Sequence, residues 1–260
     1  MTISTTPLMS ANLPVKRVQV LGLSVFSDDL DRIPLTSPCA TIATISPNSY
    51  GIATKDADFR EALAGADYLV LDGVYFGLAS ILLERRFIKP NQGPDVFSFF
   101  IRKLNALHGR AFFLGSSNET LQKIKSRAAT EHPNVAVEVY SPPFKPEFDD
   151  EDNRRMLDKI SAFGPDIVFI GMTAPKQEKW AHKHRDRISA KLAVSVGAVF
   201  DWYAGNERPV APIWWSLKLG WLVRTIRRPE ILKRYPSIFI FFRHLFLAVL
   251  GIKKYSNGKS

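Results

Sequence analysis

Between residues 17 and 200, short apolar runs alternate with longer stretches of mixed polarity. The runs are rich in Val, Ile, Leu and Phe, and several end at Gly or Asp-Gly. They predict strands over Arg17–Leu21, Thr41–Ile45, Tyr68–Leu71, Ala111–Leu114, Val135–Tyr140, Ile167–Ile170 and Leu192–Val196. Helical patterns fall between most of them, most clearly at Asp56–Ala64, Asn118–Thr130, Asp149–Ala162 and Lys176–Ile188. Asn118 and Asp149 stand as N-caps. Such alternation predicts an α/β fold: a Rossmann-like, largely parallel sheet with helices on both faces. The Pro-rich piece Ser141–Pro146 reads as a strand-to-helix loop.

The pattern changes near residue 205. From Pro212 on, Trp214, Trp215, Trp221, Tyr235, Phe239, Phe241, Phe242 and Phe246 interleave with basic residues. The chain divides on this basis into an α/β core over 1–205, with a possible meeting of two halves near 105–110, and a basic amphipathic helical appendage over 206–260. Charge sharpens the contrast. The net formal charge is +10; residues 201–260 carry +8 of it, leaving +2 for the rest. A nearly neutral body with a basic aromatic tail points to an anionic membrane surface as partner. Nucleic acid is the rival for a basic aromatic stretch, but Ile238–Phe242 and Leu245–Leu250 are too apolar for a solvated groove. A third reading has the tail helices completing the core. An exposed apolar tail would also favour a homo-oligomer when no membrane covers it.

Composition narrows the options further. The one cysteine, Cys39, excludes an internal disulfide and a multi-cysteine zinc site. The N-terminus lacks the basic and apolar regions of a signal peptide, and no run is long enough to span a bilayer. The expected location is therefore cytoplasmic, peripheral on the inner face of the membrane.

In open α/β sheets ligands bind beyond the carboxyl ends of the strands, so the residues after each strand are the candidates. Asp72 follows an apolar strand and precedes Gly73. It reads either as a general base for a hydroxyl or as a turn or N-cap aspartate. Gly115-Ser116-Ser117-Asn118 opens a helix, where backbone N–H groups hold a phosphate or merely close a βα turn. Pro175 and Glu178 suit a helix start, whereas Lys176 and Gln177 suit a diphosphate and a sugar hydroxyl. Neither the dinucleotide fingerprint nor the P-loop is present. Asp29-Leu30-Asp31 matches a D-x-D metal signature weakly, and Asp56-Ala57-Asp58 reads better as a helix start. The five histidines form no ligand pattern, so no metal and no cofactor is assigned.

Taken in order, these pieces resemble the WecG/TagA/CpsF glycosyltransferases of bacterial cell-surface polysaccharide synthesis. The resemblance runs from about Thr41 to Tyr235. Its carriers are Thr44 with Ala53, Asp56, Phe59 and Arg60; Ala66–Gly73; Gly93-Pro94-Asp95; Phe112–Gly115; Pro165–Gly171; Pro175-Lys176-Gln177-Glu178; Val196–Asp201 with Gly205; Ala211-Pro212; and Trp221–Arg224 with Pro229 and Arg234. It implies an inverting, metal-independent transferase of a UDP-sugar, often N-acetylmannosamine, to an undecaprenyl-diphosphate-linked acceptor. Asp72 would be the base, with Thr44 lining its pocket. Lys176, Gln177 and Glu178 would help hold the donor, and Asp201 would support the site; Ser46, Asn48, Gly73 and Gly115 are further substrate-binding candidates. Arg208, Arg224 and Arg234 would approach the acceptor diphosphate or the membrane.

The chain departs from the family pattern at Ser46 (usually Asn, with Asn48 two residues on), Pro90 (usually Arg, with Lys89 adjacent), Val210 (usually Arg, with Arg208 nearby), Gly220 and Ile231. These positions surround the substrates. They motivate an alternative, a non-catalytic membrane-surface module that binds lipid-linked sugar or an assembly partner.

Overall fold

The computed structural model describes residues 15–206 except 37 and 89, residues 213, 214, 223 and 225, and residues 229–253 and 255. The side chains of Val74 and Glu230 lie outside that description, as do Arg208, Arg224 and most of the expected junction between core and appendage.

The chain opens with a hairpin, β1 (Arg17–Val20) and β2 (Leu23–Phe26), paired antiparallel. The expected first strand is therefore real but stands outside the main sheet. That sheet has six strands: β3 (Ala40–Ile45), β4 (Tyr68–Leu71), β5 (Arg110–Gly115), β6 (Ala136–Tyr140), β7 (Ile167–Gly171) and β8 (Leu192–Ser195). Its order is β4-β3-β8-β7-β5-β6, and every pairing is parallel. Strands β4, β7 and β8 are buried end to end, as a sheet covered on both faces requires.

Helices α1 (Pro47–Ala53), α2 (Ala57–Ala64), α3 (Val74–Glu84), α4 (Gly93–Leu107), α5 (Asn118–Glu131), α6 (Asp150–Phe163), α7 (Lys176–His184) and α8 (Val199–Tyr203) connect and cover the strands. Their starts follow local chemistry. Asp56 caps α2 by accepting from the Phe59 amide, and Asp149 caps α6 by accepting from the Asp152 amide. The cap of α5 is Ser117, one residue before the expected Asn118; its hydroxyl accepts from the Thr120 amide.

Two apolar layers result. On one face α4, α5 and α8 bring Phe97, Phe100, Leu121, Ile124 and Phe200 onto Phe113 and Phe169. On the other, α6 and α7 bring Met156, Ile160 and Trp180 onto Phe112 and Val168. A third cluster joins the hairpin, α1 to α3 and the C-terminal helix α9 (Tyr235–Val249).

Helix α9 is docked on α1. Phe241 is wholly buried among Tyr50 and Phe76, and the Tyr50 hydroxyl meets His244 Nδ1 at 3.0 Å. One half of the apolar tail thus completes the core, as one reading of the sequence allowed. Among the described residues no helix is long and apolar enough to cross a membrane.

Gly51 lets the two helices touch. A Cβ there would lie 2.0 Å from the Ser237 carbonyl oxygen. Alanine normally stabilises a helix interior by about 1 kcal/mol over glycine. Here the sign should reverse: Gly51→Ala should lower unfolding stability by about 1–3 kcal/mol through overpacking. A denaturant titration showing the ordinary helix gain would refute the close docking.

Candidate active site

The strand order creates the crevice. Connections β3→β4 and β7→β8 step toward the β4 edge, whereas β5→β6 steps toward the β6 edge. The chain therefore diverges at the carboxyl ends of the adjacent strands β5 and β7, a topological switch point. Gly115 and Gly171 are paired there, so close that a Cβ on Gly115 would lie 2.5 Å from the Gly171 carbonyl oxygen. Gly115 and Ser116 both have positive φ, 121° and 59°. Such a turn can aim backbone N–H groups outward over the helix start.

Further along the same edge, β3 and β4 bring the expected base into company. Thr44 pairs with Val70 and Ile45 with Leu71. The Asp72 amide donates to the Ile45 carbonyl at 2.8 Å, continuing the ladder one residue past the strand. Thr44, Ser46, Asn48 and Asp72 are all half-buried at these two strand ends. Gly73, at φ 87° and ψ 152°, turns the chain from Asp72 into α3. Ser46 is the N-cap of α1: its Oγ accepts from the Ser49 amide at 3.2 Å and lies 2.7 Å from Ser49 Oγ. Its hydroxyl is thereby held by its own helix.

Residues 176–178 divide their tasks. Lys176 Nζ donates to the Lys145 carbonyl and sits 3.6 Å from the centre of the Phe148 ring, which ties α7 to the loop after β6. Desolvation lowers its pKa below the usual lysine range. Gln177 is buried. Its Oε1 accepts from the amides of Met172 (3.2 Å) and Gly197 (3.1 Å), joining the loop after β7 to the loop after β8. Its Nε2 donates to Glu178 Oε1 at 2.7 Å. Both side chains are buried, and Gln177 holds the loops after β7 and β8 together.

Glu178 is fully enclosed, and its Oε2 has no hydrogen-bond partner among the described residues. It lines a cavity of about 10 Å³ with Thr41, Ala62, His182 and Ser195, a space the size of one water. Burial pushes its carboxyl up to about 7, so this is an acid that favours keeping its proton.

Asp201 lies in the first turn of α8, half-buried, on the other side of the β8 loop. Asn206 joins it to α5: its backbone amide donates to the Asp201 carbonyl at 2.9 Å, and its side-chain amide donates to Thr120 Oγ1 at 2.9 Å. Neither Asn206 nor Thr120 carries a sequence signal, because the contact joins elements 86 positions apart. Gly197, with φ 55°, was detectable as a glycine ending a strand. Arg234 is exposed in a 3-10 turn over Pro229–Arg234. The weak D-x-D match, Asp29 to Asp31, falls at another 3-10 turn next to the hairpin.

A parallel sheet with a carboxylate, hydroxyls and glycine turns along its carboxyl edge defines a doubly wound α/β core with a polar crevice at its switch point. The match to known proteins makes it specific: the family model "Glycosyl transferase WecG/TagA/CpsF family" covers residues 13–255. The chain belongs to this family, and is a glycosyltransferase. Among curated proteins it is similar to an N-acetylglucosaminyldiphosphoundecaprenol N-acetyl-beta-D-mannosaminyltransferase of Bacillus subtilis (strain 168), 29% identical over 76% of each chain. Proteins of the same name from Bacillus spizizenii (27% identical, 76% of each chain) and Staphylococcus aureus strain MRSA252 (26%, 82% of each) are similar too.

Glu178 yields a pH test. Its folded pKa of about 7 exceeds the ordinary 4.5, so the folded state retains a proton that the unfolded chain releases. Stability should therefore fall as pH rises from about 4.5 to about 7, then level off. Glu178→Gln cannot ionise, so its stability relative to wild type should improve by on the order of 3 kcal/mol across that window. Denaturant midpoints at mildly acidic and mildly alkaline pH measure this. An equal difference at both would mean the carboxyl does not titrate there.

Proposed function

We propose that the protein transfers a sugar, N-acetylmannosamine-like or a related hexose or uronic acid, from a UDP-sugar to an undecaprenyl-diphosphate-linked acceptor in cell-surface or exopolysaccharide synthesis. The observation that carries this reading is the convergence of Thr44, Ser46 and Asp72 at the adjoining ends of β3 and β4, within a glycosyltransferase family. The activity for which the relatives are named supports the sugar and the lipid diphosphate.

In this mechanism the Asp72 carboxylate accepts the proton of the acceptor hydroxyl. That oxygen attacks the anomeric carbon from the face opposite the leaving group, a new glycosidic bond forms, and the bond to UDP breaks, with its electron pair leaving on the diphosphate. The configuration inverts. The glycine turn at Gly115 and the helix start at Lys176 supply N–H groups and positive charge toward that diphosphate. Asp72 follows β4 and Lys176 opens the helix after β7, and those two strands lie three spacings apart, roughly 14 Å, so an extended donor would lie along the edge of the sheet. Asp201 supports the far wall. Reaction at a lipid-linked acceptor requires a peripheral position on the cytoplasmic face of the membrane, to which the basic tail is suited.

Asp72→Asn should lower turnover by roughly 10²–10⁴ without changing the unfolding midpoint. The assay is UDP release from a panel of UDP-sugars, with and without a lipid-diphosphate-linked sugar. Full activity in the variant would remove Asp72 from the chemistry. Donor binding without turnover in the wild type would favour the binding-module reading.

A further inference from the structure

Helix α3 is apolar on both sides. Phe76, Ala79 and Ser80 are buried against the core, yet Tyr75, Leu78, Ile81 and Leu82 face outward, Leu82 with 58% of its surface exposed. The chain then returns so that Phe87, 62% exposed, packs over Gly77. A surface helix with two apolar faces lacks a partner for one of them.

Helix α9 repeats the arrangement. Phe241, His244 and Leu245 are buried, while Tyr235, Phe239, Phe242, Phe246 and Val249 form an outward stripe at helical spacing. The two outward stripes meet: the rings of Tyr75 and Phe242 pack edge to face with centroids 5.5 Å apart. They form one continuous aromatic and aliphatic surface, larger than scattered exposed leucines would make.

The charges on these segments select the occupant. Arg85, Arg86, Lys233, Arg234, Arg243 and Lys253 are exposed there. The one exposed acid with a described side chain on α3 or α9 is Glu84. A second copy would bring two basic rims together. An anionic bilayer complements both the cations and the apolar stripe.

We propose that α3, Phe87 and the outer face of α9 form a single seat for an anionic lipid surface, so that the catalytic core itself, and not the tail alone, contacts the membrane. The seat has a consequence for chemistry that rests on the transferase reading. Tyr75 lies three residues after Asp72, across the Gly73 turn that opens α3, so at most about 10 Å of chain separates them. A protein seated on α3 holds Asp72 at the interface, where the diphosphate of a lipid-linked acceptor emerges. The water-soluble donor enters along the sheet edge from the opposite direction.

The test uses the full chain and vesicles of phosphatidylglycerol or of phosphatidylcholine alone. The double variant Leu78→Glu/Leu82→Glu changes only outward α3 residues. It should reduce sedimentation with phosphatidylglycerol vesicles about tenfold or more, because each leucine withdrawn from the interface forfeits its burial, with an unchanged unfolding midpoint. A fluorophore on Leu82→Cys should shift to the blue on those vesicles but not on phosphatidylcholine; Cys39 is buried and does not compete for label. Wild-type sedimentation in the double variant, or no spectral shift, overturns the proposal. So does a vesicle-independent dimer that the double variant converts to monomer. The transferase reading is scored separately: the double variant should keep turnover on a short-chain, water-soluble acceptor, whereas Asp72→Asn should lose turnover and still sediment.

Discussion

A strand that returns parallel to its neighbour must do so through a crossover, and the right-handedness of crossovers decides which face each helix covers. This constraint arranges nearly everything else in the protein. The steps β3→β4 and β7→β8 run in one direction, and α2 and α7 share one face of the sheet. The step β5→β6 runs in the other direction, and α5 covers the opposite face with α4 and α8. Between β5 and β7 the chain leaves in both directions, and the carboxyl edge opens there. Glycine stands on both strands there because a Cβ on Gly115 would strike the Gly171 backbone and one on Gly171 would strike the Phe200 ring.

The same constraint explains which parts were legible. The buried strands β4, β5, β7 and β8 announce themselves as short apolar runs, because a strand buried on both faces admits little else, whereas the half-exposed edge strand β6 shows alternation. The caps Asp56 and Asp149 were readable for equally local reasons. The hairpin strand β2 was not. Its turn places Leu21 at φ 52° ahead of Gly22 at φ 81°, where Asn or Asp is the usual signal. Leu21 is buried, and its packing offsets the unfavourable backbone. Helix α3 was missed because its apolar residues run all round and leave no period to detect. Helix α1 is short and holds both Pro47 and Gly51; the glycine serves contact with Ser237, far away in the chain.

The site divides in the same way. Asp72 could be singled out because it ends a strand, and where that strand lies is a local matter. The roles of Gln177 and Glu178 could not be read locally. The sequence places them at a helix start, where polar residues usually face solvent or ligand. The fold turns them inward, and Gln177 becomes the link between two loops 20 residues or more apart. An amide is well suited to this, since one oxygen can receive two backbone N–H groups while its NH₂ donates elsewhere. The neighbouring carboxyl must accept from that NH₂ in a space with no room for bulk water, and retaining a proton avoids most of the penalty for a buried charge.

The tail shows why composition alone could not decide between core and membrane. A helix has two sides, and the apolar residues of α9 serve both. Phe241 and Leu245 point at α1 and α3, whereas Phe239, Phe242 and Phe246 point away. Averaged along the chain, these residues give a single greasy segment. Resolved by face, they give a docking contact and an outer surface. Because α9 is fixed to α1 by the Gly51 contact and the Tyr50–His244 hydrogen bond, its outer stripe has a defined orientation relative to Asp72. A flexible tether would bring the protein near a membrane without setting the depth of its catalytic residue. A docked helix that shares its outer face with α3 sets both, and that distinction matters when one substrate is dissolved in water and the other is anchored in lipid.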